Sequence, residues 1–385
     1  MSKSKTTSEE AHVERYCSLE QFQQILSAIQ SAGYALFGPT VQNEVIIYDE
    51  IHSAQDLPIG WMDEQDPGQY RLKRRADNAY FGYNLGPHSW KKYLFPPREK
   101  LFTAKRQENG LTIYQESESP SQKMAFLGVR ACEIQAILIQ DKVFINKLAV
   151  YKQYQQRREN LFIAAVNCTR SVNTCFCTSM GTGPHVKEGY DLSFTEIVNP
   201  QEHYFLVSIG SEKGRAIVDP LALQPASKQA CNTAQNLIEI NRNQMVRRVD
   251  NEQVHDLLAK SLNCKRWDQV AKRCVNCANC TLVCPTCFCS DSEDTISMDG
   301  SQVERWQTWD SCFNLSHSHV HGGPIRQSAQ SRYRQWLTHK FGTWWDQFGV
   351  SGCVGCGRCI AWCPVGIDVT EELQELKHET DQNNC

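Results

Sequence analysis

Two short cysteine runs constrain this chain more than anything else in it. The first is Cys274-Val-Asn-Cys277-Ala-Asn-Cys280-Thr-Leu-Val-Cys284-Pro285. The second is Cys353-Val-Gly-Cys356-Gly-Arg-Cys359-Ile-Ala-Trp-Cys363-Pro364. Both have the spacing C-x2-C-x2-C-x3-C-P, which is an iron–sulfur signature. Three thiolates at intervals of three residues wrap a short loop around three iron corners of a cubane. Small residues at Ala278, Gly355 and Gly357 let the backbone approach the sulfides and donate N–H bonds. The fourth cysteine would stand at the start of a helix, and the following proline would turn the chain away.

In bacterial two-cluster ferredoxins that fourth cysteine ligates the other cluster. The assignment expected here is therefore crossed. Cys274, Cys277, Cys280 and Cys363 would hold one [4Fe–4S] cluster, and Cys353, Cys356, Cys359 and Cys284 the other. Zinc is the competing reading, but zinc sites use separated C-x2-C pairs, which fit these runs poorly. Unlike in small ferredoxins, a long insertion, about 290–350, separates the two half-motifs.

The chain has 19 cysteines among 385 residues. Met1 to Glu20 is polar, without the apolar core of an export signal, so metal binding and a reducing cytoplasm are expected rather than disulfides. The net charge of −3 gives no reason to expect a nucleic-acid partner. No apolar run approaches the roughly 20 residues of a membrane span.

Other cysteines form looser groups. Cys132 follows a candidate strand and opens a candidate helix, where a thiolate is favoured. Cys168, Cys175 and Cys177 lie in a polar loop. These four could make a third metal site, either a third [4Fe–4S] cluster or zinc, or some could be packed as small apolar side chains. Cys287, Cys289 and Cys312 are one short of a closed four-ligand site. Cys17, Cys231, Cys264 and Cys385 read as isolated. His317, His319 and His321 alternate, and an exposed or partly packed loop is the simpler reading. Gly181-Thr-Gly183-Pro lacks the third glycine of a dinucleotide fingerprint.

Hydrophobic periodicity predicts an α+β multidomain chain. A lead-in over 1–15 precedes an α/β domain over 16–255, then a mainly helical ferredoxin-like domain over 256–370 and a polar tail over 371–385. Ser18 and Gln21 have capping-box form before a helix carrying Leu19, Phe22, Leu26 and Ile29. Strands are expected at Val45 to Tyr48, Met124 to Val129, Leu161 to Val166, Tyr204 to Ile209 and Ala216 to Val218. Helices are expected from Cys132 to Phe144 and over 225–262, with a break near 250. Residues 50–75 read as loop.

With these residues in hand, the chain resembles the beta subunit of sulfhydrogenase-type, NAD(P)-linked nickel–iron hydrogenases, and the corresponding subunit of anaerobic sulfite reductase. The segments that carry the resemblance are Leu127 to Ile137, Cys175 to Pro184, Cys274 to Cys289, Trp309-Asp-Ser-Cys312 and Cys353 to Pro364. Ala131 departs from it, because the family has proline there. The resemblance implies a non-catalytic electron-transfer subunit of an oxidoreductase complex. It would relay electrons between a flavin subunit that binds NAD(P)H and a catalytic subunit, either hydrogenase or sulfite reductase. The alternatives are an enzyme in its own right, with substrate at an open iron held by the Cys132 group, and a zinc-binding structural protein.

Overall fold

The computed structural model describes residues 14–108, 110–115, 122–145, 150–382 and 385. Most of the expected lead-in, and part of the expected tail, lies outside the described residues. The chain opens with β1 (Arg15–Ser18), α1 (Leu19–Ser31), β2 (Ala35–Gln42) and β3 (Val45–Glu50). Two hairpins follow, β4 (Trp61–Asp66) with β5 (Gln69–Arg74), and, after α2 (Lys91–Leu94), β6 (Arg98–Gln107) with β7 (Gly110–Gln115). Next come β8 (Met124–Val129), α3 (Ala131–Phe144), α4 (Lys152–Glu159), β9 (Leu161–Val166), β10 (Leu192–Val198) and β11 (His203–Ile209). The helices α5 (Glu212–Val218) and α6 (Lys228–Gln244) complete this half.

The apolar runs of this half become one seven-stranded sheet in the order β1-β11-β10-β9-β8-β2-β3. Its centre, from β2 through β8 and β9 to β10, is parallel. Every residue of β8 and β9 is buried, as strands covered on both faces must be. Along β9, Phe162, Ala164 and Val166 face a core shared with Phe22 and Ile25 of α1. Leu161, Ile163 and Ala165 face the opposite core, with Ile134 and Ile137 of α3 and Tyr154 of α4. The result is a helix–sheet–helix sandwich. As predicted, Ser18 caps α1 with a full capping box.

The cysteine-rich half contains α7 (Val254–Lys260), α8 (Arg266–Arg273), α9 (Asn279–Leu282), β12 (Ser290–Ile296) and β13 (Gln302–Trp309). It continues with α10 (Ala329–Thr338), α11 (Trp344–Phe348), α12 (Arg358–Ala361) and α13 (Val369–Asp381). Its core packs Trp267, Tyr333, Trp336, Leu337 and Phe341 beside the cysteine runs.

Several expectations are corrected. Residues 216–218 are the end of α5 and not a strand. Ser211 caps that helix by accepting from Gly214 N, and a Cβ on Gly214 would lie 2.0 Å from Asp191 O. The stretch 50–75 contains β4 and β5, polar in sequence because much of that hairpin is exposed. The insertion is not confined to a helical domain. Its strand β13 pairs with β6, giving a four-stranded sheet β12-β13-β6-β7. The expected polar tail is largely α13, which buries Leu373 and Leu376. Cys264 and Cys385 are joined as a disulfide across 121 residues of sequence, so they are not isolated.

Candidate metal centres

The two cysteine runs fold alike because the same backbone conformation recurs in each. Asn276 and Ala278 have φ of 54° and 65°, and Gly355 and Gly357 have φ of 64° and 75°. These left-handed residues turn the loop back on itself, so successive cysteines face inward. A short helix then starts in each run, α9 at Asn279 and α12 at Arg358. The fourth cysteines, Cys284 and Cys363, come after those helices end. Sequence reasoning put them at a helix start; the left-handed cap starts the helix earlier, and the proline helps to end it.

Cys274, Cys277, Cys280 and Cys363 line one cavity, with Phe313, Tyr333 and Trp336. Cys284, Cys353, Cys356 and Cys359 line a second, with Phe176, Trp336 and Lys340. Cys280 and Cys359 border both, so the cavities are contiguous. Each is lined by three cysteines of one run and two of the other, because Cys280 and Cys359 lie between them.

The donor set can be tested against the metal. Sulfurs bound to one zinc ion at about 2.3 Å lie at most about 4.6 Å apart. Among the described residues, only Cys264, Glu379 and Cys385 bring three ligand atoms within 4.8 Å of one another, and two of those are the disulfide sulfurs. No three thiols of the runs lie that close together, so no tetrahedral zinc set stands ready there. Tyr333 Oη and Trp336 Nε1, buried at the first cavity, have no hydrogen-bond partner among the described residues. They are donors suited to an acceptor such as sulfide. The residues present fit iron–sulfur clusters.

The N-terminal group converges as well. β8 ends at Val129, and Cys132 lies in the first turn of α3. The adjacent parallel strand β9 ends at Val166, and Cys168 follows. Both thiols thus sit at the carboxyl edge of the sheet, where open α/β sheets place their sites. Cys132, Cys175 and Cys177 share one buried cluster, against which Cys356 of the second run packs. Cys168 influences all three electrostatically. Burial pushes the thiols of Cys132 and Cys177 far up and that of Cys175 to about 12. Burial also raises Cys168, although the nearby Arg130 guanidinium opposes this.

Hydrogen bonds and close backbone packing hold this group against the second run. Phe176 N donates to Gly355 O at 2.9 Å, and Thr182 Oγ1 donates to Val354 O at 2.6 Å. A Cβ on Gly355 would lie 2.6 Å from Cys177 N, and one on Gly357 2.3 Å from Thr174 O. The fully buried Arg358 pairs with the buried Glu133 at 2.5 Å. Glu133 also accepts from Tyr48 Oη at 2.8 Å and Trp90 Nε1 at 3.2 Å. On the other side, Gly68 N of the β4–β5 turn donates to Ile360 O at 3.0 Å, and Tyr70 lies against Trp362.

A second thiol group lies outside the runs. Lys340 Nζ, in a π-helical turn over His339–Thr343, lies 3.4 Å from Cys284 Sγ and donates to Thr286 Oγ1 at 2.8 Å. Burial alone would discharge it, but the sulfurs of Cys284 and Cys287 hold its pKa above the usual lysine value. Cys287 lies near Cys284, and Cys289 lies near both Cys312 and His317. His317 Nδ1 is bonded to Asp310. Of the three alternating histidines, His319 and His321 are exposed. Nothing in the spacing of Cys312 or His317 announced that they come near Cys289, because the β12–β13 hairpin brings them together.

These cavities have the cysteine lining of an iron–sulfur domain. Residues 273–367 match the family model described as a 4Fe-4S dicluster domain. Beyond that segment, the chain is similar to Sulfhydrogenase 2 subunit beta of Pyrococcus furiosus. The two are 28% identical over 368 residues, covering 94% of this chain and 98% of that protein. The resemblance to the sulfhydrogenase beta-subunit family therefore extends over nearly the whole chain. No solved structure matches it.

Proposed function

We propose that this chain is the iron–sulfur electron-transfer subunit of an oxidoreductase complex. In this reading, Cys274, Cys277, Cys280 and Cys363 hold one [4Fe–4S] cluster, and Cys353, Cys356, Cys359 and Cys284 another. Cys132, Cys168, Cys175 and Cys177 hold a third. Such clusters, when bound, take up and release single electrons. The observation that carries the reading is the pair of contiguous cavities, each lined by cysteines of both runs. Cys356 borders the second cavity and packs against the N-terminal thiols, which makes a continuous row of three sites.

The similarity to a hydrogenase beta subunit supports a partnership with a flavin subunit that binds NAD(P)H and with a catalytic subunit, either nickel–iron hydrogenase or sulfite reductase. No described helix is long and apolar enough to cross a membrane. Thiolate ligands suit a reducing compartment such as the cytoplasm. Four thiols converge on the N-terminal site, which weighs against an open iron there for substrate.

Metal analysis of the anaerobically purified chain tests the reading. At four irons per cubane, about twelve irons are expected with the third site filled and about eight without it. A count near four, or zinc in place of iron, overturns it. Co-purification of flavin-containing and catalytic subunits tests the partnership.

A further inference from the structure

We propose that Arg130 is the electrostatic counterweight of the N-terminal thiol site, the fixed positive charge that keeps this buried site reducible. The proposal deepens the reading above, because it rests on a cluster held by Cys132, Cys168, Cys175 and Cys177.

Arg130 stands at the turn between β8 and α3, directly before the helix that carries Cys132. It is only 4% exposed. Its guanidinium is held from two sides. Nη2 donates to Phe81 O at 3.1 Å and to Tyr83 O at 2.8 Å, and Nη1 lies 4.0 Å from Cys168 Sγ. The rings of Phe81 and Tyr83 flank it, with centroids 5.9 and 5.7 Å from Cζ. Its side-chain partners among the described residues are thus two carbonyls and a thiol, with no carboxylate. The buried acid nearby, Glu133, is matched by another cation. One of its oxygens accepts from Arg358 and Tyr48, the other from Trp90 Nε1 and the Arg130 backbone N–H. Arg358 therefore balances Glu133, and the charge of Arg130 is left facing sulfur.

The site needs such a charge. Cys132, Cys175 and Cys177 are each no more than 8% exposed. Four thiolates outweigh the charge of the iron–sulfur core they hold, so an added electron deepens a negative charge already withdrawn from water. Burial alone would pull the potential of this site below that of its neighbours. A guanidinium 4.0 Å from one ligand offsets that cost in a low-dielectric interior, and arginine stays charged throughout the working pH range. Reduction then takes one electron from the neighbouring site. No bond breaks and no proton moves, because the compensating charge is already in place. The second run has the same arrangement, with buried Lys340 3.4 Å from Cys284 Sγ.

The test is an EPR-monitored redox titration of the full chain, purified anaerobically with its iron. The signal missing from Cys175→Ala marks the N-terminal site. Arg130→Gln removes the charge but keeps an amide that can donate to the Phe81 and Tyr83 carbonyls. The expected result is full iron, a lower midpoint for the marked signal and unmoved midpoints for the other two. At the original midpoint, the reduced-to-oxidised ratio of that site should fall on the order of tenfold or more. Arg130→Lys keeps a charge of shorter reach, and its midpoint should lie between the two. A purely structural role would lower iron content or melting temperature and leave the midpoint of the retained iron where it was. Full iron with an unmoved midpoint in Arg130→Gln overturns the proposal. So does an equal shift at all three sites, or an Arg130→Lys midpoint as low as that of Arg130→Gln. If Arg130→Gln loses the iron of this site, Arg130→Lys decides. A smaller fall confined to the marked signal supports the proposal, and an unmoved midpoint or lost iron overturns it. About eight irons in the unmodified chain, at four per cubane, would remove the site itself and sink the three-site reading together with the proposal.

Discussion

At the scale of single residues, charge beside sulfur is the recurrent theme. Lys340 is a buried ammonium 3.4 Å from Cys284 Sγ. A fixed positive charge there stabilises the electron-rich state of a cluster ligated by that thiolate. Lys340→Met should lower that cluster's reduction potential. The shift should be on the order of 100 mV, from roughly 2–4 kcal/mol of Coulomb interaction at an effective dielectric near 20. An EPR-monitored redox titration reads this, and an unchanged potential would count against Lys340 as the tuning group. The Cys289–His317 pair has its own pH signature. The nearby Cys289 sulfur raises His317 from 6.5 to about 9, so its contribution is complete below pH 6.5 and lost as pH rises through about 9. Cys312 and His317 nearby depress Cys289 from 9.0 to about 4, so its contribution is lost as pH falls through about 4. In reduced protein, Cys289 alkylation should therefore stay nearly level between about pH 6 and 8. An ordinary thiol, with a pKa of about 8.5, slows about tenfold per unit over much of that range. Rates that follow the ordinary thiol would remove the ion pair.

At the scale of elements, the left-handed residues matter most. Asn276 with Ala278, and Gly355 with Gly357, give two loops of the same shape from different residues. The difference has a reason in packing. The second loop lies against residues 174–177, and a Cβ on Gly355 would sit 2.6 Å from the Cys177 backbone nitrogen. Gly355→Ala should separate these loops, at a cost of roughly 1–3 kcal/mol from backbone strain and lost contact. The expected outcome is a lower melting temperature, with iron lost first from the sites that Cys177 and Cys356 border. Full iron retention and an unchanged melting temperature would show that the loops can give. The cysteine spacing announced the turns and the repeat. It could not announce the docking, because the partner loop is over 170 residues away in sequence.

At the scale of the whole molecule, the sheet and the cysteine-rich half are locked together by Glu133 and Arg358. The two sit immediately after Cys132 and two residues after Cys356, and both are almost completely inaccessible. Arg358 Nε donates to Gly86 O at 3.0 Å and its Nη2 to His88 O at 2.9 Å. Removing one partner strands a buried charge, which costs about 3–5 kcal/mol. Glu133→Ala should therefore destabilise the whole chain by about that amount in urea unfolding. It should also couple loss of the N-terminal thiol site to loss of the second cavity. A change under about 1 kcal/mol would mean that the two halves do not depend on this pair. The four-stranded sheet, built from β6 and β7 of one half and β12 and β13 of the other, is a second such tie.

The sequence by itself determined the parts whose information is local. The two C-x2-C-x2-C-x3-C-P runs, the capping box at Ser18 and the buried strands at 124–129 and 161–166 each depend on neighbours a few residues away. The polar hairpin at 61–74 and the helical end of residues 212–218 were misread. Their apolar or capping contacts come from elsewhere in the chain, as Gly214 against Asp191 illustrates. Only the tertiary structure decided which thiols meet. Cys132 and Cys168 come together because parallel strands β8 and β9 end side by side. Cys289 comes near Cys312 because the β12–β13 hairpin returns the chain beside it. Cysteine is chemically the same in every case, so its role depends on distance and neighbouring charge, and both of those are properties of the folded chain.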